Sequence, residues 1–517
     1  MTRPKGEDQT AAGPTRPVVG ASIRRNALFA LLAQITTGLF STVLTLYLLR
    51  ALGPDGYGVF ALALGIGSVV GFIADFGIPY SVSRFLAESR HDHERIVSLL
   101  SDALRLKLAS AALITGALFL LAGPLAAAYD NPALAWPIRG IALSLFAGSI
   151  FSLYTSAFIA LAQVSVNLRL IFVESLAETV ASIVLVALGA GALGAALGRA
   201  IGYGFGAIAA MMIVGRLFSA SSIRLFGWGS GRTREIALYA APLFITGGVY
   251  IIYAQVDILI IGALLGTTAV GLFSAPLRLT VPLGYVGQSL TNSIAPRLAH
   301  KGSEPGSVKA FQSSLRWLIV YQAVLLAPLI VWAGPIVNLL LGPQYRASVD
   351  VLRVLSLYIF FDGPSRLIST TVNYLGRASS RIPIVLFSLA LNAALDLALI
   401  PSIGVVGAAI GTGLAISLLY VPAHFRICHQ ELDLDLAPLA VTLCRALVSA
   451  ALMASVLYLV GTDESLSPAQ WILGGAAGVV VFCAGLVLTG EITRSDIRRG
   501  RRAMIANLSQ LAPFGPR

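Results

Sequence analysis

The sequence predicts an all-α integral membrane protein with about 14 transmembrane helices, arranged as two parallel six-helix repeats plus two extra C-terminal helices. Three observations lead to this fold class: an apolar composition, a series of apolar runs long enough to cross a bilayer, and an internal repeat. Of the 517 residues, 57% are hydrophobic and 12% are charged, whereas a soluble domain carries about 25% charged residues. The bilayer is therefore the main solvent for this chain.

Each spanning helix needs about 20 mostly apolar residues, because backbone groups without hydrogen bonds are too costly in hydrocarbon. Reading the chain for such runs gives fourteen predicted spans, which we number in chain order. Their approximate bounds are 27–49, 58–79, 106–127, 138–160, 170–190, 192–215, 236–260, 269–291, 316–338, 351–373, 382–400, 403–424, 441–460 and 470–489.

Basic residues orient these spans. With a cytoplasmic N-terminus, about 29 of the 36 Lys and Arg residues fall inside the cell, about 4 outside and about 3 within spans. This asymmetry predicts a multi-pass protein of the inner (plasma) membrane with both termini in the cytoplasm. Residues 1–26 lack the apolar core of a signal peptide and are expected to be a disordered cytoplasmic tail. Residues 490–517 are expected to be a basic cytoplasmic tail.

An internal repeat recurs at an offset of about 213 residues. Gly53 and Gly58 after span one correspond to Gly266 and Gly271 after span seven. Because an even number of spans separates the copies, the two halves must be parallel and related by an axis along the membrane normal. This predicts a first lobe at 27–217, a second lobe at 236–426 and an additional helix pair at 441–489. Two glycine triplets are predicted to let helices pack closely: Gly191, Gly194, Gly198 and Gly404, Gly407, Gly411.

Three stretches carry a resemblance to a known family. They are NALFALLAQITTGLFSTVLTLYLLRALGPDGYGVFAL (Asn26–Leu62), DILIIGALLGTTAVGLFSAPLRL (Asp257–Leu279) and LNAALDLALIPSIGVVGAAIGT (Leu391–Thr412). In these the chain resembles the polysaccharide-transport family of the multidrug/oligosaccharidyl-lipid/polysaccharide (MOP) exporter superfamily. That superfamily contains the Wzx-type O-antigen flippases and, more distantly, the MurJ lipid II flippases and MATE drug exporters. The resemblance implies a flippase for lipid-linked oligosaccharides.

Polar side chains inside the predicted spans are candidates for the wall of a substrate cavity, because such groups face a bundle interior or water. Glu174 and Glu178 share one face of span five, and Asn392 and Asp396 share one face of span eleven, its repeat partner. The candidate substrate-cavity residues are Arg278, Asp257, Glu174, Glu178, Asp362, Arg366, Asn392 and Asp396.

Among these candidates, Arg278 is the strongest for binding a diphosphate headgroup, since no acid lies at helical spacing from it and a guanidinium can bind phosphate bidentately. The competing interpretation is a structural ion pair with Asp257. Asp362 and Arg366 lie four residues apart across Pro364. They form either a mutually neutralising pair or a gate of the cavity.

A second group of candidates lies at the predicted cytoplasmic mouth. Arg84 and Arg297 occupy matched ends of spans two and eight. They either gather an anionic headgroup or extend to lipid phosphates. Asp75, near the end of span two, is either a gate residue or a partner of Arg84.

The predicted function is translocation of a polyprenyl-diphosphate-linked oligosaccharide from the inner to the outer leaflet for surface-polysaccharide biosynthesis, by alternating access of two lobes. Its partners are that cargo and membrane lipids, with a glycan polymerase and other surface-polysaccharide assembly proteins as further candidates and no nucleic acid. The membrane potential drives it, or a buried acid such as Glu178 or Asp257 couples it to protons or sodium.

No catalytic residue, cofactor or metal is expected. The three cysteines and five histidines show no ligand spacing, and the chain has no GxxxxGK[ST] motif for ATP. The main alternative is a MATE-like exporter of cations or drugs, which predicts a cavity dominated by acids. A membrane glycan polymerase or ligase is less favoured, because the outer connections are about ten residues or fewer.

Overall fold

The computed structural model describes residues 23–89, 92–218, 233–299 and 306–493. Most of the two predicted tails, 1–22 and 494–517, lies outside these ranges. Within them the chain forms helices joined by turns, with no strand. The all-α prediction is therefore confirmed.

The helices follow the predicted spans closely. Ile23–Asp75 contains spans one and two, and a short helix, Ile78–Glu88, follows it. The remaining spans of the first lobe are His93–Ala128, Ala135–Ala160, Val164–Leu185 and Gly191–Phe218. Those of the second lobe are Thr233–Leu265, Thr267–Thr280, Ser307–Val331, Val349–Tyr374, Ala378–Ile403 and Val405–Leu414, the last continuing to Leu432. The C-terminal pair is Leu436–Val460 and Gln470–Leu488.

Eleven described segments are long and apolar enough to cross a membrane. Two of them, Leu28–Asp75 and Val164–Leu217, contain 48 and 54 residues. At about 1.5 Å per residue each is more than twice as long as the hydrocarbon core is thick, so each provides two spans. Val349–Tyr374 adds another helix of spanning length that is more polar than the rest. The structure thus accounts for the fourteen predicted spans.

Spans five and six form an antiparallel hairpin. A Cβ atom at Gly198 or Gly202 of span six would collide with Ser182 or Glu178 of span five, respectively, and one at Gly206 would lie 3.0 Å from Cβ of Glu174. Each step of four residues up one helix therefore matches a step of four down the other. Spans eleven and twelve pack in the same way, with Gly407 against Leu399 and Gly411 against Asp396. The close packing predicted for the glycine triplets is found at Gly194, Gly198, Gly407 and Gly411, whereas Gly191 and Gly404 border open space.

The internal repeat is also visible in the backbone angles. Gly53 has φ 66° and ψ −178°, and Gly266 has φ 81° and ψ −176°. Gly191 and Gly404 likewise share φ near 60° and extended ψ, at φ 54°, ψ −139° and φ 66°, ψ −148°. Left-handed φ values of this kind favour glycine. Since the same turns recur in both halves, we propose 27–217 and 236–426 as the two lobes and 441–489 as the appended pair.

The two lobes cross at one end of the molecule through a pair of glycines related by the repeat. A Cβ at Gly58 would collide with the carbonyl oxygen of Thr267, and a Cβ at Gly271 would collide with that of Pro54. Only hydrogen atoms fit between the two backbones here. We call this contact the glycine crossing.

Hydrogen bonds surround the glycine crossing. The hydroxyls of Thr267 and Thr268 donate to Oδ1 of Asp55 at 2.9 and 3.0 Å. The Tyr345 hydroxyl donates to the carbonyl oxygen of Leu49 at 3.0 Å. Each bond joins the two lobes, so the molecule is closed at this end.

Span nine differs from its predicted bounds. The sequence predicts 316–338, but the helix ends at Val331 and a separate short helix, Ala333–Leu340, follows. Trp332 holds the break, since its indole Nε1 donates to the carbonyl oxygens of Leu457 and Gly461 at 3.2 and 3.1 Å. The apolar composition continues across the break, so hydropathy alone could not locate it.

A charged cluster at the end of span fourteen attaches the appended pair to span nine. Glu491 is buried, and its Oε1 accepts from Nε of Arg316 at 2.5 Å and from the hydroxyl of Thr442 at 2.8 Å. Nη1 of Arg445 lies 3.4 Å from its Oε2. Burial alone would raise the pKa of Glu491, but these hydrogen bonds and the Arg316 charge outweigh it and hold that pKa below its ordinary value.

Glu491→Gln is expected to lower the free energy of unfolding by about 1–3 kcal/mol at pH 7, because two arginines lose their buried counter-charge. A carboxyl group whose pKa is lower in the folded than in the unfolded state stabilises the folded state at pH values above the unfolded pKa of about 4.3. This stabilisation is lost as the pH falls through the folded pKa. The difference in Tm between wild type and variant should therefore shrink progressively as the pH falls below about 4.3. Glu88→Gln is the control, since Glu88 and Arg84 are both half exposed. Equal Tm values for Glu491→Gln and wild type at pH 7 would contradict this role.

Candidate functional site

A chamber of about 790 Å³ lies between the lobes at the end opposite the glycine crossing. From the first lobe, Phe72, Asp75, Gly77 and Pro79 line it. The second lobe supplies four tyrosines, two arginines and a set of amide and hydroxyl side chains. The polar and aromatic members are Tyr250, Tyr253, Gln288, Tyr358, Asp362, Ser365, Arg366, Ser369, Thr370, Asn373, Arg381 and Tyr420.

Tyrosine rings form one wall of this large chamber. Tyr253 and Tyr420 stack with centroids 6.1 Å apart and planes inclined by 13°. The hydroxyl of Tyr253 is buried and has no hydrogen-bond partner among the described residues. Arg381 and Asn373 add hydrogen-bonding groups to the chamber lining, and Nη1 of Arg381 donates to Oδ1 of Asn373 at 2.8 Å. The chamber therefore combines flat apolar faces with polar edges.

A smaller chamber of about 180 Å³ adjoins the large one, and Tyr358, Asp362 and Arg366 line both. Arg278 lines the small chamber and interacts electrostatically with the hydroxyl of Tyr57 in the first lobe. Arg278 forms no ion pair with a described acid, and Asp257 has other partners. In the described structure the guanidinium therefore lacks a counter-charge.

Asp362 and Arg366 form an ion pair, with Nε of Arg366 3.0 Å from Oδ2 of Asp362. Pro364 lies inside the continuous helix Val349–Tyr374. Gly284 of span eight packs against this pair, and a Cβ there would lie 2.7 Å from Oδ2 of Asp362. The pair thus faces the junction of the two chambers.

Asp257, Asn392 and Asp396 come together inside the second lobe, behind the chamber walls. Nδ2 of Asn392 and the hydroxyl of Thr412, the latter at 2.7 Å, both donate to Asp257. Asp396 also lies within hydrogen-bonding distance of Asp257. Oδ1 of Asp396 and Oδ1 of Asn392 are buried with no partner in the described chain. We call these four residues the Asp257 cluster.

Glu174 and Glu178 lie in the interior of the first lobe, on the face of span five that packs against span six. Nη1 of Arg199 donates to Oε1 of Glu178 at 2.8 Å, and its Nη2 donates to the Tyr203 hydroxyl at 2.9 Å. The Ser175 hydroxyl donates to Oε2 of Glu174 at 2.9 Å. Neither glutamate lines either of the two chambers described above.

At the mouth of the large chamber, Asp75 pairs with Lys107, whose side chain is fully buried in span three. Arg84 instead pairs with Glu88 at 3.0 Å, so it is not the partner of Asp75. Arg297 is exposed at the end of span eight. A bend at Phe76 and Gly77, with φ 43° and 68°, ends span two beside Asp75.

Tyr250 and Tyr253 of the chamber wall were missed by sequence reasoning. Tyr253 lies three residues after Tyr250 and four before the predicted candidate Asp257, so all three share one face of span seven and the helical period contained a usable signal. The pairing of Lys107 with Asp75 left no such signal, because the two residues are 32 positions apart on different helices.

The fold and the chamber define a multi-pass membrane protein with a cavity between two groups of spans. Residues 23–300, more than half of the chain, match the profile of the polysaccharide biosynthesis protein family. The chain belongs to this family.

Two relatives carry names related to glycan export. A probable low-salt glycan biosynthesis flippase, Agl15, of Haloferax volcanii is 22% identical over 267 residues, 51% of this chain and 54% of the relative. The chain thus spans about half the length of that relative. A putative O-antigen transporter of Shigella flexneri is 20% identical over 429 residues, 79% of this chain and 99% of the relative.

Solved structures with the same fold are transporters of the MOP superfamily. A lipid II flippase MurJ in an inward closed conformation aligns with a TM-score of 0.72 and 14% identity, covering 90% of this chain and 99% of MurJ. An inward-facing MATE multidrug transporter aligns with a TM-score of 0.61 and 14% identity, covering 79% of this chain and 99% of that one. At such identities the likeness concerns the fold alone.

Proposed function

We propose that this protein is a flippase that moves a polyprenyl-diphosphate-linked oligosaccharide from the inner to the outer leaflet of the plasma membrane for surface-polysaccharide biosynthesis. The lining of the large chamber carries the proposal. Tyrosine faces suit the apolar faces of sugar rings, and arginine, amide and hydroxyl groups suit their hydroxyls. The names of the two relatives support the same cargo class.

The charge of the two chambers also supports an anionic cargo. Their lining contains two acids, Asp75 and Asp362, against three arginines, Arg278, Arg366 and Arg381. Both acids already have a cationic partner. Arg278 has none among the described residues, and a diphosphate would supply the missing charge.

The competing function is a MATE-like exporter of cations or drugs. It is favoured by four acids inside the lobes, of which Glu174 and Asp396 are buried and Glu178 and Asp257 are partly buried. None of these lines either chamber, however, so they do not make the cargo space acidic. A polymerase or ligase finds less support, since both named relatives are transporters and the proposal requires no covalent chemistry.

The decisive experiment measures the leaflet distribution of polyprenyl-diphosphate-linked sugars in cells with and without this protein. We expect cytoplasmic-leaflet accumulation and loss of one surface glycan when the protein is absent. An unchanged distribution together with altered retention of small cations or drugs would favour the exporter instead.

We place the large chamber on the cytoplasmic side, in line with the distribution of basic residues, so that the molecule is closed towards the outside at the glycine crossing. Rocking of the lobes would open that end and close the chamber mouth. Outward movement of an uncompensated anion in an inside-negative potential is favourable by about 2.3 kcal/mol per charge per 100 mV.

A reporter fused after Arg517 tests this orientation. Fluorescent protein, which folds in the cytoplasm, is expected to be active there, and alkaline phosphatase at the same place is expected to be inactive. A phosphatase fused in the turn after span one, at Gly56, should be active. The reverse pattern would overturn the orientation.

We further infer that the Asp257 cluster couples transport to a proton or a sodium ion. Two carboxyl groups meet there, no cationic side chain of the described residues contacts them, and unpaired charge inside a membrane is costly. A proton shared between the carboxyls or a bound sodium ion would remove that cost. Oxygen atoms of Asp257, Asp396, Asn392 and Thr412 are available as ligands.

Asp257→Asn is expected to reduce gradient-driven flipping at least about tenfold, equivalent to about 1.4 kcal/mol of lost coupling. Proteoliposomes with an imposed sodium or proton gradient give the measurement and identify the ion. Asp350→Asn, in an exposed ion pair with Arg353, serves as the control. If Asp257→Asn responds to both gradients as wild type does, the cluster does not couple transport.

A further inference from the structure

The first lobe carries an apolar groove on its surface between spans three and four. The groove has a volume of about 490 Å³. Its floor is formed by small side chains, and a Cβ added at Gly116 would meet no atom within 4 Å. Its lining residues are Ala112, Thr115, Gly116, Phe119, Leu120, Ala142, Leu143 and Phe146.

Arg139 lies at one end of this groove. It is one turn before Leu143 and two turns before Phe146 on the same face of span four. Its guanidinium lies 4.6 Å from the ring centroid of Trp136 and 5.6 Å from that of Phe119. The aromatic rings therefore cover the face of the cation and leave its edge for another ligand.

No described acid forms an ion pair with Arg139, and its Nε is buried without a hydrogen-bond partner in the described chain. Trp136 is 60% exposed, as expected for an aromatic residue at a membrane interface. Asn131, just before span four, donates to the Thr267 hydroxyl at 2.9 Å. This bond places Arg139 at the end of the molecule that holds the glycine crossing.

The groove has the dimensions of one leaflet. From Ala112 to Leu120 it follows span three for about 12 Å, and half of the hydrocarbon core is about 15 Å deep. An acyl chain descending from the interface would follow it from the Arg139 end towards the bilayer centre. A lipid phosphate would then lie at the edge of the guanidinium, where bidentate hydrogen bonds form.

We propose that this groove is a binding site for one anionic phospholipid, with an acyl chain between spans three and four and its phosphate on Arg139. The site lies outside the two chambers and is independent of the cargo. The lipid would hold the two helices together at the end where the lobes cross.

The test uses the purified full-length protein reconstituted with phosphatidylglycerol or with phosphatidylcholine. Native mass spectrometry counts the retained lipids, and thermal unfolding measures their effect on Tm. Wild type should retain one phosphatidylglycerol more than Arg139→Gln, whose affinity for it should fall at least about tenfold. Gly116→Leu fills the groove and should lose the same lipid, whereas Arg139→Lys should retain it in part.

Two matched controls are available in the same molecule. A Cβ at Gly204, in span six and outside the groove, meets no atom within 4 Å, so Gly204→Leu should bind like wild type. Arg353 already pairs with Asp350 at 2.8 Å, so Arg353→Gln should also bind phosphatidylglycerol like wild type. Equal lipid retention by wild type, Arg139→Gln and Gly116→Leu would overturn the proposal. Equal stabilisation of wild type by phosphatidylcholine and phosphatidylglycerol would overturn it as well.

Discussion

Arg278→Ala is expected to reduce export at least about 30-fold, because removing one partner of a buried charge pair costs about 2–5 kcal/mol. The structure leaves this guanidinium without an acid partner, so its proposed counter-charge is the diphosphate of the cargo. Arg278→Lys keeps the charge but not the bidentate geometry, and we expect it to recover only part of the activity. The measurement is the leaflet distribution of the lipid-linked sugar in a deletion strain expressing each variant at matched levels.

A second variant separates cargo binding from contact between the lobes. Arg278 also interacts with the hydroxyl of Tyr57, and Tyr57→Phe removes only that interaction. If this interlobe interaction were the important feature, Tyr57→Phe would be as defective as Arg278→Ala. Normal export by Arg278→Ala would instead show that this arginine does not bind the cargo.

Gly58→Ala and Gly271→Ala are each expected to prevent the lobes from closing at the glycine crossing. The atoms that the new methyl groups would meet are backbone carbonyls, which cannot rotate away as a side chain can. Overpacking of this kind costs about 1–3 kcal/mol or more, and 3 kcal/mol shifts a two-state equilibrium by roughly 150-fold. We expect proteins that reach the membrane but export poorly.

Cysteine accessibility provides the measurement for this prediction. A reporter cysteine at Thr267, which is 6% exposed beside the crossing, should react faster with an external reagent when Gly58 is replaced by alanine. Gly123→Ala and Gly204→Ala are the controls, since both glycines border open space. Unchanged accessibility and unchanged export in Gly58→Ala would mean that the backbone at the crossing moves to accommodate the methyl group without an effect on closure.

Much of the fold could be predicted from the sequence, because helices that span a bilayer require long runs of apolar residues that few other structures contain. The offset of 213 residues also identified Gly53 with Gly266 and Gly191 with Gly404, and each pair shares its backbone angles. The partners of polar residues could not be predicted. Helical spacing shows which side chains share a face, but it does not show which neighbouring helix that face meets.

The Asp257 cluster and Lys107 illustrate this limit. Asp257 was a candidate partner for Arg278, yet the structure pairs it with Asn392 and Thr412 instead. Lys107, near the predicted start of span three, is buried against Asp75, which lies 32 positions away on another helix. Each assignment depends on the rotation of one helix relative to another. Within lipid, no simple contrast of polar and apolar faces fixes that rotation.

The repeat also has a consequence for how such a protein can evolve. At the crossing, the glycine of each half packs directly against the backbone of the other half, so neither copy can change there independently. The charged lining is different, because Arg278 and Arg366 have Gly65 and Leu153 at the equivalent positions of the first half. The turning and crossing parts are thus common to both halves, whereas the arginines that line the chambers belong to the second half. New cargo specificity can therefore arise through substitutions in the second half, without disturbing the mechanics that both halves share.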